Sequence, residues 1–235
     1  MTTLAWAAGR SGEIRLGASV IVAPMRNAVV IAKELATIDA LSGGRLIAGF
    51  GVGWSPAEFA NVAAADRFGD RGAYTEETVN LCRHLWSGNT APFHGRFHQF
   101  DDFVFGPLPA QGGNVPIWLG GRDERALRRV GRLADGYHAS ATSPATLEGR
   151  IPVIRGAAES AGRPMPRLSG RARVELDADA QSFYTMHGSP AEVAAEIRAF
   201  AALGVDHLAL AFAPRGAAAL TKAVERFLTE VKPLV

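Results

Sequence analysis

The sequence predicts an α/β fold built around a parallel β-sheet. Three observations indicate it: short apolar segments alternate six times with helical ones, these segments are almost uncharged, and two of them end in glycine-rich exits. Uncharged strands are typical of a sheet covered on both faces, and right-handed crossovers keep successive strands parallel. Two closures fit this alternation, a doubly wound open sheet and a (β/α)8 barrel.

Each element follows from a local pattern. Strands are predicted where apolar residues form short runs, at residues 14–22, 45–50, 115–119, 135–138, 171–176 and 205–212. Helices are predicted where apolar residues repeat at helical spacing, at residues 4–10, 27–41, 70–86, 123–133, 144–161, 190–203 and 217–231. A proline-rich connection is expected at 163–168. The strands are expected to be neighbours in chain order.

Capping residues mark several helix ends. Asn27 is a suitable N-cap for the helix that follows it. Ser189, Pro190 and Glu192 combine an N-cap serine, proline at the first helical position and glutamate at the third, which together form a capping box. Gly204 then ends that helix.

The segment 41–54, Leu-Ser-Gly-Gly-Arg-Leu-Ile-Ala-Gly-Phe-Gly-Val-Gly-Trp, joins a helix end to a buried strand. Gly51 and Gly53 leave the backbone bare where that strand ends, which is where ligands dock in parallel sheets. The alternative is that these glycines bind no ligand and only permit a tight bend of the backbone. The spacing does not match a dinucleotide-binding loop, because Trp54 stands where the third glycine should be, and no phosphate loop follows.

Composition excludes several classes of partner. The formal net charge of +2 is near neutral and the arginines are scattered, so no nucleic-acid partner is expected. Cys82 is the only cysteine, which excludes a disulfide framework and a thiolate metal site. Residues 1–12 lack the features of a signal peptide, and no apolar run of about 18 residues is present to span a membrane. A cytoplasmic location is expected.

Residues 87–115 interrupt the alternation of strands and helices. They are rich in Gly, Pro, Phe and His, and a segment this long without helical periodicity is more typical of a functional insertion than of a plain connection. His94 and His98 lie near Asp101 and Asp102, but their spacing places them on one side only in a helix, and this segment is expected to be extended. No metal site is predicted.

Gly120, Gly121 and Arg122 form the best candidate for binding a phosphate. They stand between a predicted strand and a helix start, where the glycine amides and the helix dipole favour an anion. A glycine turn without a ligand is the alternative. Elsewhere, Glu58 and Arg67 are expected to form an exposed ion pair that contributes little to stability.

Short motifs extend through nearly the whole chain. They are Arg15-Leu16-Gly17-Ala18-Ser19-Val20, Pro24-x-Arg26-Asn27, Ala32-Lys33, Leu41-Ser42-Gly43-Gly44-Arg45, Gly51-x-Gly53-Trp54, Glu58-Phe59, Leu85-Trp86, Pro116-Ile117-Trp118-Leu119-Gly120-Gly121 and Ala134-Asp135-Gly136-Tyr137. Taken together, they resemble the bacterial luciferase-like monooxygenase superfamily. The resemblance implies a (β/α)8 TIM barrel that binds FMN or the deazaflavin coenzyme F-420. The arginine-rich, lysine-poor composition resembles the F-420-dependent branch.

The resemblance also implies that part of the barrel is missing. The chain aligns from the family's third strand to its eighth helix, so the single partial barrel domain over 1–235 lacks the first two βα units, about 60 residues. The family's acidic–histidine pair at the end of the second strand has no counterpart here. The outer edges of the strands at 14–22 and 205–212 are expected to be unpaired, and we expect the natural chain to begin about 60 residues earlier.

By the same resemblance, the cofactor contacts fall on seven residues. They are Ser19, Val20, Gly51, Gly53, Gly120, Gly121 and Arg122. Ser19–Val20 matches a position where the family often has a non-proline cis peptide, in a bulge that supports the flavin or deazaflavin ring. Gly120–Arg122 matches the family's phosphate site. The catalytic residues stay unassigned; His138 is a candidate to face the substrate, and a hydrogen-bonded wall residue is its alternative role.

Three functions are consistent with these residues. The first is an oxidoreductase that transfers a hydride between coenzyme F-420 and a small organic substrate, with the cofactor supplying the chemistry. The second is an FMN-dependent monooxygenase. The third is a non-catalytic flavin-binding barrel, which the missing acidic–histidine pair favours and the retained glycines oppose. A homodimer that binds a small molecule, and neither nucleic acid nor membrane, is expected.

Overall fold

The structure of the chain is a computed structural model that describes residues 1–178, 183–214 and 216–235. The helices are α1 (Thr2–Arg10), α2 (Ala28–Ser42), α3 (Pro56–Asn61), α4 (Arg71–Trp86), α5 (Glu124–Leu133), α6 (Pro144–Ser160), α7 (Pro190–Ala202) and α8 (Ala217–Arg226). The strands are β1 (Leu16–Gly17), β2 (Ile21–Val22), β3 (Leu46–Gly51), β4 (Phe93–His94), β5 (Gln99–Phe100), β6 (Ile117–Leu119), β7 (Gly136–Ser140), β8 (Arg167–Leu176), β9 (Thr185–Gly188) and β10 (Val205–Phe212). None of the described helices is long and apolar enough to cross a membrane.

A curled parallel sheet forms the centre of the fold. Its strand order is β1-β3-β6-β7-β8-β10, while β2 also pairs with β3 and β9 also pairs with β8. All of these pairings are parallel. The predicted order of neighbours is therefore confirmed. The arrangement is a partial (β/α)8 barrel, in which β1 and β10 stand at the two ends of the described sheet.

Short sequence patterns predicted most helix ends correctly. Asn27 caps α2 by accepting from the amides of Val29 and Val30. Ser189 and Glu192 form the predicted capping box of α7. These ends depend on side chains within one helical turn, so they are readable from the sequence.

Two carboxylates fix where neighbouring strands begin. Asp39, fully buried in α2, accepts hydrogen bonds from the Leu46 amide at 3.2 Å and from the amide and side chain of Gln111 at 2.9 and 2.8 Å. Asp135 accepts from the Ile117 amide at 2.9 Å. Because a buried polar group must be satisfied, these bonds hold the starts of β3 and β6 in place.

Several elements differ from the sequence prediction. The strand predicted at 14–22 is divided into β1 and β2 by residues 18–20, and the Ser19–Val20 peptide is cis, as the resemblance implied. Strand β8 begins at Arg167, within the expected proline-rich connection, and its exposed residues are Arg167 and Arg171. The short elements α3 and β9 were not predicted, and α8 continues after Arg226 as a π-helical turn.

The insertion at 87–115 is held against α4 by one carboxylate. Glu77 accepts hydrogen bonds from the amides of Arg96, Phe97 and His98 at 2.6–3.1 Å, and from His98 Nδ1 at 2.8 Å. A Cβ on Gly95 would lie 2.4 Å from the Glu77 carboxyl carbon, so glycine leaves the space that the carboxylate occupies. The segment is extended, as expected, and it folds back as the antiparallel β4–β5 hairpin.

Two glycines of β3 allow residues 18–20 to lie across that strand. A Cβ on Gly49 would lie 2.0 Å from the Ala18 carbonyl oxygen, and one on Gly51 would lie 2.5 Å from Val20 Cγ2. Neither distance is possible between real atoms, so a side chain at either position would displace the segment. The bare backbone of β3 therefore holds Ser19 over the sheet.

We expect Gly49→Ala to lower the free energy of unfolding by about 1–3 kcal/mol, because the added methyl group must push the Ala18 carbonyl away. Urea denaturation would measure the change. Gly149→Ala is the matched control: Gly149 lies in α6 with open space around its Cβ position, so alanine there should be neutral or stabilise by up to about 1 kcal/mol. A Gly49→Ala chain as stable as the unaltered one would contradict the packing argument.

Candidate active site

A chain of hydrogen bonds crosses the inner face of the curled sheet. Ser19 Oγ lies 2.7 Å from His138 Nε2, and His138 Nδ1 lies 2.9 Å from Ser169 Oγ. Ser169 in turn donates to the Tyr137 carbonyl oxygen at 3.0 Å. In the sheet order, β3 and β6 stand between β7, which carries His138, and the segment that carries Ser19. The two residues meet because the sheet curls, as it does in a barrel.

These partners determine which nitrogen of His138 carries the proton. A hydroxyl group has one hydrogen, and Ser169 uses it on Tyr137, so Ser169 Oγ must accept from His138 Nδ1–H. The Nε2 atom of His138 is then an acceptor, and Ser19 donates its hydrogen to it. Ser19 is an exposed residue, and its oxygen, which donates to His138, keeps its lone pairs free to accept a hydrogen bond from a bound group.

His138 is held in its neutral form. The residue is 5% exposed, and this burial lowers its pKa to about 4, with His207 and Arg171 acting in the same direction. At neutral pH the Nε2 atom of the imidazole therefore accepts a hydrogen bond from Ser19, and it carries no proton that it could release. The sequence left two roles open for His138, facing the substrate or forming a hydrogen-bonded part of the wall. The structure shows a hydrogen-bonded wall residue, and the bond to Ser19 connects it to the open interior.

Aromatic and cationic groups border this chain. The Trp118 ring stacks on His138 with centroids 5.9 Å apart and meets the His207 ring at 5.7 Å. Trp118 is buried, whereas His207 and Arg171 are exposed on β10 and β8. No role for Trp118, Ser169 or His207 in a site follows from the sequence. Ser169 is the register partner of both His138 and His207, and such a register is not visible in one sequence.

The turn after β6 offers backbone amides at the N-terminus of α5. The Gly120 amide donates to the Phe50 carbonyl at 3.1 Å as part of the sheet, so it already has an acceptor within the chain. The amides of Gly121 and Arg122 have no acceptor within the described ranges. Asp123 caps the helix with its side chain. A phosphate at this turn stays a prediction, and the amides free to meet it are those of Gly121 and Arg122.

The side chain of Tyr137 stabilises this turn by a hydrogen bond. Its hydroxyl donates to the Gly121 carbonyl at 2.9 Å and accepts from Arg150 Nη1 at 3.0 Å. Burial raises the pKa of Tyr137, although Arg150 acts in the opposite direction, so the phenol stays protonated and remains a donor. Arg122 is exposed and donates to the Ser140 carbonyl at 3.2 Å, which keeps its guanidinium near the turn.

The other two predicted cofactor glycines are packed against this chain's own side chains. Gly51 lies under Val20, and a Cβ on Gly53 would lie 2.7 Å from the Phe59 ring and 2.8 Å from Val22 Cγ1. Gly53 also has a positive φ of 76°, which favours glycine. Gly51 therefore acts on the site indirectly, because it leaves room for Val20, a residue that is 36% exposed.

The predicted pair of Glu58 with Arg67 is wrong. Arg67 instead donates to the carbonyls of Pro24 and Arg26 at 3.3 Å and lies over the Tyr74 ring, because these acceptors converge where its guanidinium ends.

The histidines of the insertion bind carboxylates. His94 pairs with Asp101, and His98 pairs with Glu77 and lies 3.1 Å from the Tyr74 hydroxyl. No group of three or more metal-ligating side chains occurs in the part of the chain that the structure describes.

The inner face presents an apolar group and a hydrogen-bond acceptor side by side. Val20 supplies an exposed apolar contact beside the acceptor oxygen of Ser19. At the rim, the free amides of Gly121 and Arg122 and the Arg122 side chain suit an anion. The structure brings Ser19, Val20 and His138 together and leaves the phosphate residues at a separate turn.

Comparisons with known proteins agree with this arrangement. Residues 1–176 match the family described as luciferase-like monooxygenase. An F-420-dependent glucose-6-phosphate dehydrogenase of Nakamurella multipartita is 31% identical over 173 residues, which cover 72% of this chain and 50% of that protein. An FMNH2-dependent dimethylsulfone monooxygenase of Pseudomonas putida is 28% identical over 151 residues, which cover 64% of this chain and 41% of that protein. The chain thus spans about half the length of the curated relatives it matches.

A solved structure confirms the fold. The coenzyme F-420-dependent tetrahydromethanopterin reductase of Methanopyrus kandleri matches with a TM-score of 0.82 over 99% of this chain and 86% of that one, at 18% identity. At that identity the likeness shows the fold alone. Because the family model covers most of the sequence and the sheet, helices and strand order agree with it, the chain belongs to the luciferase-like monooxygenase family.

Proposed function

We propose that this chain is part of an oxidoreductase that transfers a hydride between coenzyme F-420 and a small organic substrate. The observation that carries the proposal is the exposed Ser19–Val20 segment, which lies over the glycines of β3 and is backed by neutral His138. The Nakamurella relative, named as F-420-dependent, supports the cofactor class. Because the chain spans about half of that relative, the complete activity belongs to the proposal.

The residues of the chain would bind and orient the cofactor, which when bound supplies the hydride chemistry. Val20 offers an apolar surface to one face of a ring. Ser19 offers an acceptor for a ring N–H group, because its own hydrogen is committed to His138. The Gly121 and Arg122 amides would hold the phosphate, and Tyr137 keeps that turn in place.

An FMN-dependent monooxygenase is the second candidate function. FMN also has a planar ring and a phosphate, so Ser19, Val20 and Arg122 suit it as well. The Pseudomonas relative, named as FMNH2-dependent, favours this alternative. The two candidates differ in the cofactor that the chain selects, and binding measurements separate them.

Titration of the purified chain with F-420 and with FMN, followed by absorbance and fluorescence, tests the proposal. We expect a saturable spectral change with F-420 and a much weaker one with FMN. Tight binding of FMN alone would favour the monooxygenase. Binding of neither cofactor would contradict both candidates.

Arg122→Gln should weaken binding of the phosphate-bearing cofactor roughly threefold to tenfold, because one exposed cation beside the anion is lost. Arg122 is a cleaner position than Gly121, where a Cβ would lie 2.3 Å from Ala126 Cβ and disturb the turn itself. Arg155→Gln, on the exposed face of α6, removes the same charge elsewhere and should leave the affinity unchanged. Equal affinities of the two variants would count against the phosphate site.

His138→Gln should change how stability depends on pH. In the folded chain the pKa of His138 is about 4, below the ordinary 6.5, so the unfolded chain binds more protons between these values. The free energy of unfolding should therefore fall as the pH is lowered from about 6.5 to about 4, by up to roughly 3 kcal/mol from this residue. Urea denaturation at several pH values would show a flatter dependence for His138→Gln.

The control for that measurement is His187→Gln, a substitution in β9 away from the Ser19–His138 contact. It should keep the pH dependence of the unaltered chain. If His138→Gln and the unaltered chain lost stability in parallel on acidification, the buried neutral state of His138 would be refuted.

A further inference from the structure

The inner face of β8 carries two arginines that the proposed function does not use. Alternate residues of a strand share one face of the sheet, so Arg171 and Arg173 lie on the same face as Ser169, the hydrogen-bond partner of His138. Arg171 stands one step beyond Ser169 toward the carboxyl end of β8. That end of the strands is where barrel enzymes bind their ligands.

The neighbouring strands leave room around Arg171. Its register partners are Ser140 on β7 and Ala209 on β10, and the register partner of Arg173 on β10 is Ala211. Registered residues of parallel strands point to the same face, so small side chains flank Arg171 on both sides. Arg171 is exposed although it lies on the inner face. A ligand in the open interior can therefore reach its guanidinium group.

Arg173 has partners within the chain, whereas Arg171 has none among the residues described. The Arg173 guanidinium lies 3.6 Å from the Glu175 carboxylate and 4.8 Å from the centroid of the Phe183 ring. No ion pair joins Arg171 to an acidic residue of the described ranges. Arg171 is therefore the cation of this strand that is available to a ligand.

The charge of Arg171 also acts on the candidate site. Burial lowers the pKa of His138 to about 4, and His207 and Arg171 add to this effect, so the field of the guanidinium reaches the imidazole. The residues nearest to Arg171 in the register of this face carry no negative charge at neutral pH; they are His138, Ser140, Ser169 and Ala209. An anion is the group that would complete this part of the wall.

The donors at Arg171 suit a carboxylate better than a phosphate. Strand β8 is paired on both sides at this residue, with β7 and with β10, so its amides are engaged in the sheet. A guanidinium presents two parallel N–H groups, which match the two oxygens of one carboxylate. Phosphate is favoured instead where several amides converge at a helix N-terminus, as at the Gly121–Arg122 turn.

We propose that Arg171 binds a carboxylate group of the organic substrate, so that the enzyme acts on a small carboxylic acid. The proposed cofactor contacts at Ser19, Val20 and the Gly121–Arg122 turn make no use of Arg171, which leaves its guanidinium to a second ligand. This inference rests on the proposed function and deepens it, because it gives the chemical class of the substrate.

The test uses benzoate and benzamide, two probes of similar shape that differ in charge. Their binding to the purified chain without cofactor is followed by NMR, through the chemical shifts of the His138 ring, which are assigned by their absence from His138→Gln. We expect benzoate to bind the unaltered chain roughly threefold to tenfold more tightly than benzamide, and added salt to reduce the difference. Equal affinities for the two probes would overturn the inference.

Three variants assign the preference to one side chain, and their binding is followed on the same ring. Arg171→Gln should lose the preference for benzoate and keep the affinity for benzamide, and Arg171→Lys should retain part of the preference, because the charge is kept and the two-donor fork is lost. Arg155→Gln, the matched control on the exposed face of α6, should keep the full preference. A preference that survives in Arg171→Gln, or is lost equally in Arg155→Gln, would refute the role of Arg171.

Phenyl phosphate tests the choice of carboxylate over phosphate. Because a phosphate is expected at the Gly121–Arg122 turn, its affinity should depend less on Arg171 than that of benzoate does. If Arg171→Gln weakened the binding of phenyl phosphate more than that of benzoate, the assignment of a carboxylate would be wrong.

Titrations with cofactor separate this inference from the proposed function. Arg171→Gln should keep the affinity of the unaltered chain for F-420 and for FMN. A loss of affinity for FMN without a loss for riboflavin, which has no phosphate, would mean that Arg171 meets the cofactor's phosphate, and the inference would fall. If F-420 did not bind while the preference for benzoate depended on Arg171, the proposed function would fail and the carboxylate site would stand.

Discussion

The absence of side chains at Gly49 and Gly51 is the constraint on which the rest of the site depends. These glycines let residues 18–20 lie directly on β3, with the Ala18 carbonyl in the space that a Cβ would take. Only from that position does Ser19 reach across β3 and β6 to His138, 2.7 Å away. A larger residue would lift the segment, break the contact with His138 and move Val20 out of place. The packing of one strand therefore controls the hydrogen bonding on another.

Strand β7 connects the two halves of the candidate site. His138 faces the inner chain of hydroxyl groups, whereas its neighbour Tyr137 uses its side chain to hold the Gly121 turn. The Tyr137 carbonyl also receives the Ser169 hydrogen bond that sets the tautomer of His138. Adjacent residues of a strand point to opposite faces, so one short segment fixes both the Ser19 contact and the Gly121 turn. Its position is in turn fixed by Asp135, which ties the start of β6 to the start of β7.

Patterns that act over a few residues could be predicted from the sequence, and contacts between strands could not. The order of the strands, the Asn27 cap and the Ser189 capping box follow from short-range signals, and the structure has all of them. Ser169 was missed because its role depends on the register between β7 and β8. The Glu58–Arg67 pair failed for a related reason, since opposite charge near in sequence does not reveal the carbonyl groups that compete for a guanidinium.

Charge is distributed unequally over the candidate site. Next to Ser19 the structure places a histidine kept neutral by burial, and a charged group in its place would carry a large desolvation cost. The exposed guanidinium of Arg122, at the turn after β6, loses little hydration and can attract an anion from water. Electrostatic attraction can thus contribute to affinity at this turn, where a charged group of a ligand would still meet water, while burial keeps His138 uncharged beneath Ser19.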